Sequence, residues 1–221
     1  MNKVEKCKDV YNKCLRIGNQ YLQQTSCMMP QIVGYVKEFH ADREEFSINS
    51  RYMHRGFYCP SLDLEHIVTN MRRGTIAKRI SLRSNLTNCY MFDKNGNLRI
   101  VQTYYPNDSF DTEYIFSEDN TVCGVTFDSS EQITALSIEE YVHDRLVSYL
   151  WCACCSVSGI YWMIYEVYDY EINGCLETEI YDMNISEKKF CSHKKCRFQL
   201  DKDNKILRKS AEILEDVRIF L

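Results

Sequence analysis

Two short stretches hold the residues best suited to chemistry. "CACC" places Cys152 and Cys155 at C-x-x-C spacing, and "CSHKKC" places Cys191 and Cys196 on either side of His193. Four thiolates can enclose zinc tetrahedrally, with His193 or Cys154 as a substitute ligand. The second spacing is loose, however, and the first lacks the Gly or Pro usual in a zinc knuckle. Buried unliganded thiols, with no cofactor, are the simpler expectation. A cysteine nucleophile is the other option, and it would need His54, His66, His143 or His193 close by as a base. His143-Asp144 cannot form a dyad within a strand, where neighbours point to opposite faces. No P-loop, G-x-S-x-G, H-E-x-x-H or dinucleotide fingerprint occurs. These observations favour a non-enzymatic protein, with a zinc-stabilised binding module or a cysteine-dependent hydrolase as alternatives.

Charge is distributed unevenly. The chain carries a net −4, yet between Ile100 and Glu187 one cation, Arg145, faces seventeen acids, a net −16 that leaves +12 for the remainder. Such a window repels itself, but its field attracts a basic surface. Glu113, Asp119, Glu177 and Glu179, with the interleaved Tyr114, Tyr168 and Tyr181, are the candidate contacts for a basic partner protein. The opposing reading is a solvated face neutralised by the protein's own basic ends. Those ends are "MRRGTIAKRISLR" and "KKFCSHKKCR". Either could touch phosphate or pair with the acidic sheet. Neither carries a nucleic-acid-binding signature, so nucleic acid is the less favoured partner.

The elements that must position these residues follow from composition and periodicity. At 221 residues, with 45% hydrophobic and 26% charged, the chain can bury a sizeable core. Sixteen tyrosines favour strands. The start, "MNKVEKCKDVYNKC", lacks the apolar core of a signal peptide, which predicts reduced thiols and a cytoplasmic setting. Val4, Cys7, Tyr11, Cys14 and Leu15 share one face of a helix predicted to reach about Gln24. "PQIVGYVKEF" reads as strand or short helix, and "HADREEFSINSRYMHRG" as a polar connection. Ser61 stands as N-cap before a predicted helix in "LDLEHIVTNMRRG".

From residue 88 the pattern becomes extended. "NCYMFDK-NG-NLRIVQTYY" is a hairpin signal, and short β-branched and aromatic runs follow to the end. The uncharged stretch 146–165, "LVSYLWCACCSVSGIYWMIY", matches a membrane span in length. Its serines, its tyrosines and the turn signal around Gly159 make it a pair of buried strands instead. The predicted fold is α+β: N-terminal helices (1–87) packed on a large antiparallel β-meander sheet (88–221), forming one compact unit.

The turns share a template: "DKNGN", "SEDNT", "DSSEQ" and "EINGC" sit between aromatic and apolar residues, and "LDKDNKI" keeps the spacing. "FDKNGNL" resembles the YD-type hairpins of bacterial Rhs-like proteins, and the sheet is similar to those of immunity proteins that guard against polymorphic toxins. The resemblance covers the turns and carries over no catalytic residue. It implies a role in which the acidic sheet occludes a basic toxin effector.

Overall fold

A computed structural model describes residues 2–48, 54–61, 73–78, 87–106, 109–171, 174–185, 190–202 and 212–220. Among the described residues, one α-helix, α1 (Lys3–Glu38), is followed by twelve strands: β1 (Arg43–Ile48), β2 (Thr75–Ala77), β3 (Thr87–Phe92), β4 (Leu98–Tyr104), β5 (Phe110–Glu118), β6 (Thr121–Phe127), β7 (Ile133–Val142), β8 (Arg145–Cys155), β9 (Gly159–Tyr170), β10 (Cys175–Asn184), β11 (Phe190–Gln199) and β12 (Glu212–Phe220), with a short 3-10 turn at Gly56–Tyr58. They form an antiparallel meander of order β12-β11-β10-β9-β8-β7-β6-β5-β4-β3-β1-β2, with α1 packed against the sheet. The fold is α+β, as the sequence predicts.

α1 opens on a reciprocal cap. The Asn2 side chain accepts from the Val4 N–H, and Glu5 accepts from the Asn2 N–H. Cys7, Tyr11, Cys14, Gly18, Thr25, Ile32 and Val33 form its buried stripe. That stripe continues past Gln24 and through Pro30, so "PQIVGYVKE" is helix: burial of Ile32 and Val33 outweighs the missing proline N–H. "REEFSI", predicted as part of a polar connection, is β1, which pairs with β3 and β2. Residues 62–72 of the helix predicted in "LDLEHIVTNMRRG" and residues 203–206 of the turn in "LDKDNKI" lie outside the described residues.

The chain divides into two compact units, Met1–Tyr21 with Ser137–Leu221, and Leu22–Leu136. In the second, Tyr90, Phe92, Val101 and Ile115 form a buried cluster against Tyr58, Leu98 and Val122. The Tyr90 hydroxyl donates to the Arg55 carbonyl (3.0 Å), accepts from the Phe57 N–H (2.8 Å) and bonds Ser47 (2.8 Å). Gly56 (φ 51°) sits so close to Asn88 and Tyr90 that a Cβ would overlap both. Three hairpins close with one pattern: Gly96, Glu131 and Gly174, all at positive φ, donate to Asp93, Asp128 and Glu171 three residues earlier. In two of them the aspartate side chain also accepts from backbone N–H groups two and four residues on.

In the first unit β8 and β9 carry the uncharged stretch as sheet, with Leu150, Cys152, Met163 and Tyr165 buried and Tyr161 and Trp162 exposed. Among the described residues, no helix is long and apolar enough to cross a membrane. α1 crosses these strands at Gly18, where an added Cβ would lie 2.6 Å from Ile160 Cδ1 and 3.1 Å from Cys152 Sγ. Gly18→Leu is therefore expected to destabilise the protein by about 1–3 kcal/mol through overpacking, read from the denaturant midpoint. A variant as stable as the parent would mean that α1 does not press on β8 and β9 there.

Candidate functional site

The acids of the window follow the sheet register rather than a single outward face. On β10, Glu177, Glu179 and Tyr181 alternate with Leu176, Thr178 and Ile180, so they share one face. The register sets Glu177 between Asp169 and Arg197, Glu179 between Val167 and Lys195, and Tyr181 between Tyr165 and His193. β12 continues the rows with Glu212 beside Arg197, Glu215 beside Lys195 and Val217 beside His193. α1 lies on this face: Lys6 Nζ contacts Glu179 at 2.6 Å and Lys3 Nζ contacts Glu215 at 2.7 Å.

Glu177, Glu179 and Glu215 on these rows each meet a cation of their own chain. Glu177 accepts from Lys195 and Arg197, which hold its carboxyl below the ordinary range. Glu179 is held well below that range by the His193 ring, 3.3 Å away, and by Lys6, with the Tyr181 hydroxyl also donating to it. Tyr181 is 1% exposed and stacks on His193 at 4.6 Å; burial, then the bond to Glu179, pushes its phenol up.

The remaining predicted contacts scatter. Glu113 is buried with Arg55 (2.9 Å) and His54 (2.8 Å). Burial opposes its ionisation, yet the Arg55 and His54 charges and hydrogen bonds bring its pKa down to about 2. Tyr168 is 4% exposed and donates to the buried Glu166. Tyr114 is half-buried between Tyr35 (4.9 Å) and Phe116 (5.6 Å). Asp119 alone is exposed, at the tip of the β5–β6 turn (φ 49°). Glu113, Tyr168 and Tyr181 thus belong to the interior, where a partner cannot reach them. The sequence reading missed the counter-ions Lys6, Arg55 and His54, which no local pattern links to their acids. The alternation of Lys195 and Arg197 against Glu177 and Glu179 was the available signal.

The four candidate zinc ligands do not converge. Cys152 and Cys191 share a face but are linked across Met163 and Met183, three strand spacings or about 14 Å apart. Cys196 opposes Thr178 and so points to the other face, while Cys155 is exposed at the end of β8. Among the described residues, no group of three or more His, Cys, Asp or Glu is arranged to hold a metal. Cysteine catalysis is opposed by burial, which pushes the Cys14 and Cys154 thiols to about 12 and those of Cys7, Cys152 and Cys191 upward. Cys155 is the exception, lowered by the Val157 and Ser158 N–H groups and the neighbouring serine hydroxyls. His143 and Asp144 are not in a strand but form the β7–β8 turn, both at positive φ.

No protein-family model matches the chain, and no curated protein matches it. The geometry of Glu113 gives a test of the internal pairing. Glu113→Gln removes the carboxylate from buried Arg55 and is expected to cost about 3–5 kcal/mol near neutral pH. Because the folded pKa, about 2, lies below the ordinary 4.5, the stabilisation is present above pH 4.5 and fades as pH falls toward 2. Urea midpoints of parent and variant should converge over that interval. A gap that stays constant would remove Glu113 ionisation as its source.

Proposed function

We propose that the protein is a non-enzymatic interaction protein that binds and occludes a basic partner, in the manner of an immunity protein neutralising a toxin effector. The observation that carries this reading is a surplus of acid at one margin of the β9–β12 face. Asp169, Glu177, Arg197 and Glu212 are register neighbours across the four strands, and Glu171 follows at the β9–β10 turn. Asp169, Glu171 and Glu212 are exposed, and Glu171 and Glu212 lie near enough to Arg197 to raise its pKa further after Glu177 has done so. Four acids thus surround two cations, Lys195 and Arg197. A partner's arginines would complete the charge balance, with Glu177 shared between the protein's own cations and the incoming ones. The docking set is therefore Asp169, Glu171, Glu177 and Glu212.

The turn resemblance supports an immunity-like role, and twelve free cysteines, most of them buried, support a reducing cytoplasmic setting. The test is capture of a panel of purified basic and acidic proteins at low and high salt. Binding is expected to select basic proteins and to weaken with salt. Asp169→Lys with Glu171→Lys is expected to weaken it by about tenfold, whereas Glu38→Lys on α1 should leave it unchanged. Selection of acidic proteins, or loss of no more than the Glu38→Lys control, would remove the proposal.

A further inference from the structure

β12 is the last strand of the meander, and among the described residues only β11 pairs with it. Its outer edge therefore offers a row of backbone N–H and C=O groups. Leu214 is skipped in the β11–β12 register, so a bulge interrupts the first part of the strand and leaves Glu215–Phe220 as its regular segment. Ile213 and Leu214, 49% and 38% exposed, flank that segment. Asp216 and Arg218, both exposed, lie on the face opposite α1, where Asp216 contacts Lys194 (3.5 Å) and Arg218 adds to the charge acting on Asp182.

We infer that the outer edge of β12 is a self-association site, on which a second copy of the chain adds its own β12 antiparallel about a two-fold axis at Val217. An axis perpendicular to the sheet keeps each copy's faces aligned, so the centre must fall on a residue. Centring on Glu215, Asp216 or Arg218 places like charges opposite each other, which antiparallel pairs disfavour. Centring on Ile219 leaves too little strand to pair. With Val217 at the centre, Asp216 faces Arg218 of the second copy and Arg218 faces its Asp216. Glu215 faces Ile219 of the second copy, so its pairing with Lys3 is undisturbed. The two Glu215 sites, and the α1 starts bound to them, are then four residues apart along the strand. That is about 13 Å, enough for helices about 10 Å wide to lie side by side.

The contact is an edge rather than a broad face, so the dimer is weak and concentration-dependent. It stands on observations separate from the acidic margin, and its variants leave Asp169 and Glu171 untouched. Sedimentation of the full-length chain over a concentration series is expected to show a monomer–dimer equilibrium. Arg218→Asp and Asp216→Arg should each weaken self-association by about tenfold, because either one turns both charged pairs repulsive. Mixing the two variants should restore a heterodimer, detectable by native mass spectrometry, since all four charges then face opposites. That rescue cannot come from a variant that fails to fold. A monomer at every concentration, homodimers indifferent to the substitutions, or a mixture that stays monomeric would overturn the inference.

Discussion

A charge on a strand covered on both faces must have its counter-ion within the same packed layer. Leaving water costs an isolated carboxylate several kcal/mol, more than any distant partner returns. That constraint organises the molecule. Glu113 is ionised inside because Arg55 and His54 reach it, and Glu179 because Lys6 and His193 do. The segregation of −16 against +12 thus serves folding in part: Glu113, Glu131, Glu177 and Glu179 meet cations from outside the acidic window.

The same constraint explains why α1 matters beyond its apolar stripe. Its first turns carry Lys3 and Lys6 to Glu215 and Glu179, while Cys7, Tyr11, Cys14 and Gly18 press on the sheet below. Small residues on that stripe let the helix approach closely, and close approach lets short ion pairs form. Loss of α1 contact would take Lys6 from Glu179 and leave it His193, Tyr181 and its register neighbour Lys195, so packing and charge pairing are coupled.

Much of the architecture is legible because its signals are local. The hairpin templates place the turns at Gly96, Glu131 and Gly174, and the alternation in "CLETEIYDM" declares a strand. What the sequence hides depends on long-range pairing. β1 reads as polar because Arg43, Glu44 and Glu45 dominate it, and Ser47 meeting Tyr90 and the registers with β3 and β2 make it a strand. The periodicity predicts a helix only to about Gln24, yet Ile32 and Val33 carry it past Pro30. For the site, charge composition is legible but register is not. A count of acids cannot say that Glu113 points inward and Asp169 outward, because one residue of slip exchanges the two faces.

If interior charge is compensated where it stands, external recognition falls to places where packing ends. Two such margins occur in the first unit. One is the row through Asp169 and Glu212, where acids outnumber the cations beside them. The other is the edge of β12, where Asp216 and Arg218 alternate so that the strand is complementary to its own inverse. They differ in physics. The first, as proposed, would attract at a distance, be screened by salt and select by sign. The second acts at contact, through backbone groups whose spacing admits only another strand, and charge merely sets its register. The first draws on the exposed Asp169, Glu171 and Glu212 and the second on the backbone edge of β12, where a partner would bind without dismantling the core.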